Sequence, residues 1–501
     1  MSDSLDAAFF APFFAPFSAR PRALAVRTPE GELTWAELDA RARAWADQLS
    51  AHGVAPGDRL AVSGPAGLSL LALVVANLRL GVVHVPINGR YRDAEIRHIL
   101  ADSGARLLVA PPDSDAAATA RALSLPLLPL EPSPPAAAAP PHWPAPPPPS
   151  AVALLIYTSG TTGRAKGVAL SHGALAANVG ATTALWRFSP DDLLVLALPL
   201  FHVHGLGLGV LGALRTGLAL DLHPRFDPAA VVEAFAARGA TVFMGVPTMY
   251  AQLLDHLDAH PDAAAALARA RLFTAGSAAL PPAVLDAFAA RTGHRILERY
   301  GMTETGFVLS NPYDGERRAG TVGLPVPGWE VRVVDDEGAP CPAGVAGELQ
   351  VRGDGLMSGY WGDPVATAAA FAPGGWLRTG DVVRVDPDGY HRVVGRASVD
   401  ILKCGGFKIA AREIEEALLT DPRLAEVAVV GLPDPVWGER IAAAVVLDPG
   451  VEAPAPDALL AELQARVSAL LADYKKPREL RLLEALPRNA LGKVQKHLLK
   501  G

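Results

Sequence analysis

The chain has 501 residues, 45 Lys and Arg against 52 Asp and Glu for a net charge of −7, and is half hydrophobic but only 6% aromatic. That length suits about three compact units of roughly 150 residues, and the apolar content excludes wholesale disorder. The mild acidity leaves no basic footprint for nucleic acid, and two cysteines, Cys341 and Cys404, are too few for a disulfide framework or a cysteine-built metal site. A reducing, cytoplasmic setting fits them, as does the acidic start Met-Ser-Asp-Ser-Leu-Asp, where a secretory signal would be basic.

In chain order, Leu60–Ser63 reads as a buried strand, Ser69–Leu80 as a helix and Val82–Pro86 as another strand, an alternation that predicts a parallel, doubly wound sheet. Residues 131–150 are about half proline with much alanine; this connector cannot form a packed core and is read as a loop without function of its own. Strand–helix alternation resumes at Ala151 and continues through Thr241–Val246, Arg271–Ala275 and Arg295–Tyr300. Between them, the apolar stretch Leu193–Leu222 is interrupted by Pro199, His202, His204, Arg215 and Asp221, so it is no membrane span. From about Gly320, short strands with turn signals such as Pro387-Asp-Gly predict an antiparallel, barrel-like piece. A final α+β segment follows. The expected fold is α/β: two doubly wound αβ subdomains and a small β-barrel-like subdomain over residues 1–396, then a small α+β domain over 397–501.

The most informative segment is Thr158-Ser-Gly-Thr-Thr-Gly-Arg-Ala-Lys-Gly167, placed after an apolar strand and before a helix that Ser171 is suited to cap. Gly160, Gly163 and Gly167 allow close backbone approach. Thr158, Ser159, Thr161 and Thr162 add hydroxyls and Lys166 a positive charge, a combination suited to polyphosphate. Lys166 is followed by Gly167, whereas the P-loop of NTPases requires Ser or Thr there.

This loop resembles the phosphate loop of the adenylate-forming superfamily, which includes acyl-CoA synthetases, peptide-synthetase adenylation domains and luciferases. Further matching motifs follow in order: Leu198-Pro-Leu-Phe-His202, Gly276-Ser-Ala-Ala-Leu, Arg299-Tyr-Gly-Met-Thr-Glu-Thr, Trp376-Leu-Arg-Thr-Gly-Asp381, Gly395-Arg396 with Asp400, and Pro487-Arg-Asn-Ala-Leu-Gly-Lys493. The resemblance implies an enzyme that joins a carboxylic acid to AMP and then to a thiol, with ATP, Mg²⁺ and CoA as its small-molecule partners. It gives Lys493 the bridge between substrate carboxylate and α-phosphate, a step that is mostly charge neutralisation. Glu304 would hold Mg²⁺ with Thr303 beside it. Tyr300, followed by Gly301, would stack on adenine against the backbone of Gly276, Ser277 and Ala278. Asp381 would take the ribose hydroxyls with Arg396 nearby, and His202 would stand between nucleotide and acyl group. In the C-terminal cap, Ser398 matches the hinge, while Gly405 and Gly406 would line the CoA tunnel. Cys404 reads as a small buried hydrophobe and His223 as a core histidine.

Arg299 stands where most of the superfamily has glycine, and a guanidinium at the acyl pocket suggests a second substrate carboxylate. With Gly245-Val-Pro-Thr-Met-Tyr250, the wording is similar to malonyl-CoA synthetases, so malonate, with methylmalonate next, is the expected acid. His204 and Gln252 would complete that site. Gln252 replaces a second basic residue of the malonate enzymes, Ala275 replaces a serine, and Gly306-Phe-Val-Leu is more apolar than in them. A short or medium-chain monocarboxylate, or loading of a carrier protein, are the alternatives.

Overall fold

The computed structural model describes residues 12–131, 143–158, 165–396, 400–404, 407–434, 437–452, 454–471, 473–488 and 494–500. Two compact units divide the chain: the first comprises residues 1–331 and 351–377, the second 332–350 and 378–501.

The first unit holds two large sheets. One has nine strands, in the order Leu324–Pro325, Gly306–Ser310, Leu297–Met302, Leu272–Ala275, Val242–Gly245, Leu193–Leu196, Ala219–Leu222, Leu24–Thr28, Gly31–Thr34. The run from Leu297–Met302 to Leu24–Thr28 is parallel, with antiparallel edges. The other has seven: Gly359–Tyr360, Lys166–Ser171, Val152–Thr158, Val83–Ile87, Arg59–Ser63, Leu107–Ala110 and Leu127–Pro129. Its central strands, such as Leu60-Ala-Val and Leu154-Leu-Ile, are apolar on both faces and fully buried, as a parallel sheet covered by helices requires. The doubly wound expectation therefore holds for both subdomains.

Among the described residues no helix is long and apolar enough to cross a membrane. The stretch Leu193–Leu222 is instead a strand, a π-helix over His204–Val210, a short helix and a second strand. Its repeated glycines have a packing cause: a Cβ on Gly205 would lie 2.5 Å from the Pro199 carbonyl oxygen, and one on Gly207 or Gly209 would lie 2.8 Å from Val203 or Leu196. Where the proline-rich connector re-enters the described chain, Trp143 donates to Asp39 (3.3 Å) and lies under the guanidinia of Arg43 and Arg79.

The second unit contains the antiparallel pairing of Asp381–Val385 with His391–Arg396, part of a five-stranded sheet, and then the α+β segment. In that segment Leu424–Asp434 and Gly438–Leu447 form a long antiparallel pair, flanked by Ile401–Cys404, Phe407–Ala410 and the parallel edge strand Glu479–Leu482. Helices Ala411–Leu418 and Pro456–Leu470 close a core of Ile409, Ile414, Val429, Ile441, Leu459 and Leu463. Cys404 is buried in it, and burial raises its thiol pKa. It packs as a small hydrophobe.

Candidate active site

In the first unit the phosphate-loop segment joins two antiparallel strands, Val152–Thr158 and Lys166–Ser171, with Thr158 opposite Lys166 and Tyr157 opposite Gly167. This corrects the strand-to-helix expectation: the helix His172–Leu185 starts only after the second strand, capped as expected by the Ser171 hydroxyl, which accepts from the Ala174 amide at 3.1 Å. Lys166-Gly-Val-Ala-Leu-Ser is short and apolar enough to pair with its neighbour, and pairing wins over helix. Ser159, Gly160, Thr161, Thr162 and Gly163 lie outside the described residues. A Cβ on Gly167 would lie 2.9 Å from Leu155 Cδ1 and 3.1 Å from Tyr157 Cζ, so internal packing also demands this glycine.

Glu304 sits at the tip of the hairpin formed by Leu297–Met302 and Gly306–Ser310, where Met302 faces Gly306. Thr305 ties the turn through its amide to the Met302 carbonyl (3.2 Å). Gly301 allows this hairpin to close, since a Cβ would overlap the Gly306 carbonyl oxygen. Glu304 is 8% exposed, and its carboxylate accepts from the Tyr360 hydroxyl at 3.0 Å. Thr303 is half-buried beside it, and so is Tyr300, whose hydroxyl lies 4.0 Å from Met302 Sδ. Among the described residues no group of three or more His, Cys, Asp or Glu is arranged to hold a metal ion. A single buried carboxylate near a phosphate-loop lysine suits Mg²⁺ that arrives on a nucleotide, because Mg²⁺ takes one or two carboxylates plus phosphate oxygens and keeps its waters.

Arg299 lies on the same strand as Tyr300 and is 3% exposed. Its guanidinium packs on the face of Phe307 at 4.1 Å, and its Nε and Nη2 have no hydrogen-bond partner. No ion pair with Glu298 forms; the Glu298 carboxylate accepts from the Leu280 amide at 2.9 Å. Burial pulls Arg299 down to about 9, partly offset by Tyr250, so it remains a cation at neutral pH. Gly276 makes room for it, because a Cβ there would overlap Arg299 Cζ.

His204, at the start of the π-helix, approaches the same place. Its Nδ1 lies 3.2 Å from Ser277 Oγ, its Nε2 has no partner, and its ring meets Phe307 edge-on at 5.9 Å. Burial first, then the charges of Arg299 and His202, hold His204 well below the ordinary imidazole range. Burial lowers His202 to about 4, and its ring packs on Phe201 at 4.5 Å. Ser277 has φ +68°, a left-handed conformation rare outside glycine and concentrated at functional sites. Ser277 and Ala278 are exposed, as is Gln252 on the helix Pro247–Ala259; Gln252 is not part of the buried Arg299–His204 cluster. His223 is structural: its Nε2 lies 3.1 Å from Asp221, which also binds Arg238.

In the second unit Asp381 is 6% exposed, its amide donates to Thr379 Oγ1 (3.1 Å), and its carboxylate pairs with Arg396 at 2.9 Å across directly opposed strand positions. Asp400 accepts from the Arg396 amide (3.0 Å) and from Lys496 (2.6 Å), which also reaches Glu415 (2.8 Å). Lys493, Ser398, Gly405 and Gly406 lie outside the described residues.

The AMP-binding enzyme family model matches residues 13–361 and the AMP-binding enzyme C-terminal domain model matches residues 413–493. The mitochondrial malonate–CoA ligase of Bos taurus is 38% identical over 453 residues, covering 83% of this chain and 76% of the relative. The sulfoacetate–CoA ligase of Cupriavidus necator is 39% identical over 476 residues, covering 93% and 91%. The crystal structure of ATP-bound MatB from Rhodopseudomonas palustris superposes with a TM-score of 0.91 at 36% identity, covering 99% of this chain and 98% of that one.

Proposed function

The chain belongs to the AMP-binding enzyme family, and on that premise we propose that it is a cytoplasmic acid–thiol ligase that converts malonate, with methylmalonate as second substrate, to the CoA thioester. One malonate carboxylate oxygen attacks the α-phosphorus of ATP, and the bond to pyrophosphate breaks. The CoA thiol then attacks the acyl carbon, loses its proton, and AMP leaves.

The observation that carries the acid's identity is the buried Arg299 cation with two donors unused. A charge shut away from water without a partner costs several kcal/mol, and a substrate's second carboxylate relieves that cost with a charge-assisted, bidentate contact of about 1.5–3 kcal/mol. His204 is neutral and has a free Nε2 beside it, so it adds a hydrogen bond without adding charge. A monocarboxylate would leave the guanidinium unpaired.

The remaining roles follow from the family. Ser159 to Gly163 with Thr158 and Lys166 would cradle the phosphates, and Glu304 with Thr303 would hold Mg²⁺ against them; bound Mg²⁺ supplies charge neutralisation for the attack. Tyr300 and the Gly276–Ala278 backbone would take adenine. From the second unit, Asp381 with Arg396 would take the ribose and Lys493 would bridge the reacting groups, with Ser398 as the hinge and Gly405 and Gly406 along the thiol path. His202 would separate nucleotide from acyl group, and Gln252 would stand at the rim of the acid site.

The test is AMP release from ATP and Mg²⁺, with and without CoA, on malonate, methylmalonate, succinate, sulfoacetate, acetate, butyrate and octanoate. Strong CoA-dependent turnover of malonate supports the reading. Preference for butyrate or octanoate overturns it, preference for sulfoacetate moves the seat from carboxylate to sulfonate, and acyl-AMP formation without thioester points to a carrier-loading enzyme.

A further inference from the structure

The segment from Met357 to Trp361 is sewn to two parts of the first unit. The Met357 amide donates to the Glu304 carbonyl (2.8 Å), while the Ser358 and Trp361 amides donate to Ala169 (2.8 Å) and Gly167 (2.7 Å) on the strand that follows the phosphate loop. Between these anchors Tyr360 pairs with Val168 as a short edge strand, and its amide is held by Thr367 Oγ1 at 2.9 Å. Its side chain then faces two charged groups at once. The hydroxyl donates to Glu304 Oε1 at 3.0 Å, and the Lys166 ammonium lies 5.1 Å from the ring centroid, within cation–π range.

The geometry points to Tyr360 as the positioning residue that aims the Glu304 carboxylate at the nucleotide's Mg²⁺ and couples that carboxylate to the phosphate-loop lysine. This inference rests on the proposed Mg²⁺ role of Glu304. The hydroxyl's bond to Oε1 restricts the rotamers open to the Glu304 side chain. Partners of this kind orient the groups that bind metal, and losing one typically costs 10–100-fold in metal affinity. Lys166 gives the contact a second consequence. The ammonium sits on the ring face while the hydroxyl points to the carboxylate, so a rigid aromatic ring stands between the two opposite charges.

The experiment is equilibrium binding of ATP, without acid or CoA, across a Mg²⁺ titration, for the wild type, Tyr360→Phe, Glu304→Gln and the double variant, each checked by a thermal melt. Phenylalanine keeps the ring under Lys166 and removes only the hydroxyl. We expect Tyr360→Phe to raise the Mg²⁺ midpoint by about tenfold, Glu304→Gln to raise it at least as much, and the double variant to match Glu304→Gln alone. If Glu304→Gln shifts the midpoint and Tyr360→Phe does not, the positioning role is wrong and the Mg²⁺ role stands. If neither shifts it, the Mg²⁺ role fails and the inference with it. A loss of ATP affinity in Tyr360→Phe that is equal at every Mg²⁺ concentration, including none, makes Tyr360 a purely structural residue.

Discussion

A Cβ on Gly276 would stand 2.7 Å from Arg299 Nε, so only glycine at this position leaves room for the guanidinium. Replacing Gly276 with alanine therefore acts on the acid site by moving Arg299 off the face of Phe307. The expected result is a rise of about tenfold in the malonate KM, roughly half of a charge-assisted contact, with a much smaller change for butyrate. Steady-state kinetics on the two acids check this, and an equal rise for both would show that the variant perturbs the nucleotide backbone instead.

Arg299 itself should behave as a residue whose fit to ligand is obtained at the expense of stability. Its unused Nε and Nη2 are shut away from water, and an unpaired buried charge is destabilising. Arg299→Met keeps the packing on Phe307 and removes the charge, so the ligand-free variant should melt at a higher temperature than the wild type. Added malonate should raise the melting temperature of the wild type by mass action and leave the variant unmoved. A lower melting temperature for the ligand-free variant would make Arg299 a structural residue.

Local chemistry explains which of these features were readable in the sequence. Short apolar runs between turn signals gave the parallel strands at Arg59–Ser63, Val152–Thr158 and Val242–Gly245, and a cationic side chain beside the motif tyrosine singled out Arg299. The strand Lys166–Ser171 was missed because its stability comes from its partner Val152–Thr158, and a single segment does not display its pairing. Tyr360 was missed for the same reason on a larger scale: its hydroxyl meets Glu304 56 residues away. Gly167 and Gly276 were read as glycines beside a ligand, and the structure adds a packing demand from Tyr157 and Arg299 that the sequence did not display.

Buried histidines make stability fall as the pH is lowered. His84, 1% exposed and bonded to Asn77 at 3.0 Å, is lowered from 6.5 to about 4 by burial. Its folded value lies below its unfolded one, so the unfolded chain takes up the proton first. Stability is then complete above about pH 6.5 and declines as the pH falls toward 4. The difference corresponds to roughly 3 kcal/mol at the low end of that window. His84→Leu should flatten the fall in melting temperature between pH 6.5 and 4 while leaving the value at pH 8 close to wild type or lowered by a constant amount. An unchanged slope would mean that His84 titrates normally.

The role proposed for Lys493 can be tested by separating the two half-reactions. Bringing a carboxylate to the α-phosphate sets anion against polyanion, and a single ammonium between them removes that repulsion where it peaks. Attack of a thiol on a finished acyl-adenylate carries no such demand. Lys493→Ala should therefore lose malonyl-AMP formation by several orders of magnitude, on the scale of other electrostatic stabilisers of a transition state, about 10²–10³ or more, while ATP still binds. Supplied with synthetic malonyl-AMP and CoA, the same variant should form malonyl-CoA at close to the wild-type rate. Equal loss in both halves would show that the C-terminal segment has been disrupted as a whole, and undiminished adenylation would remove Lys493 from the mechanism.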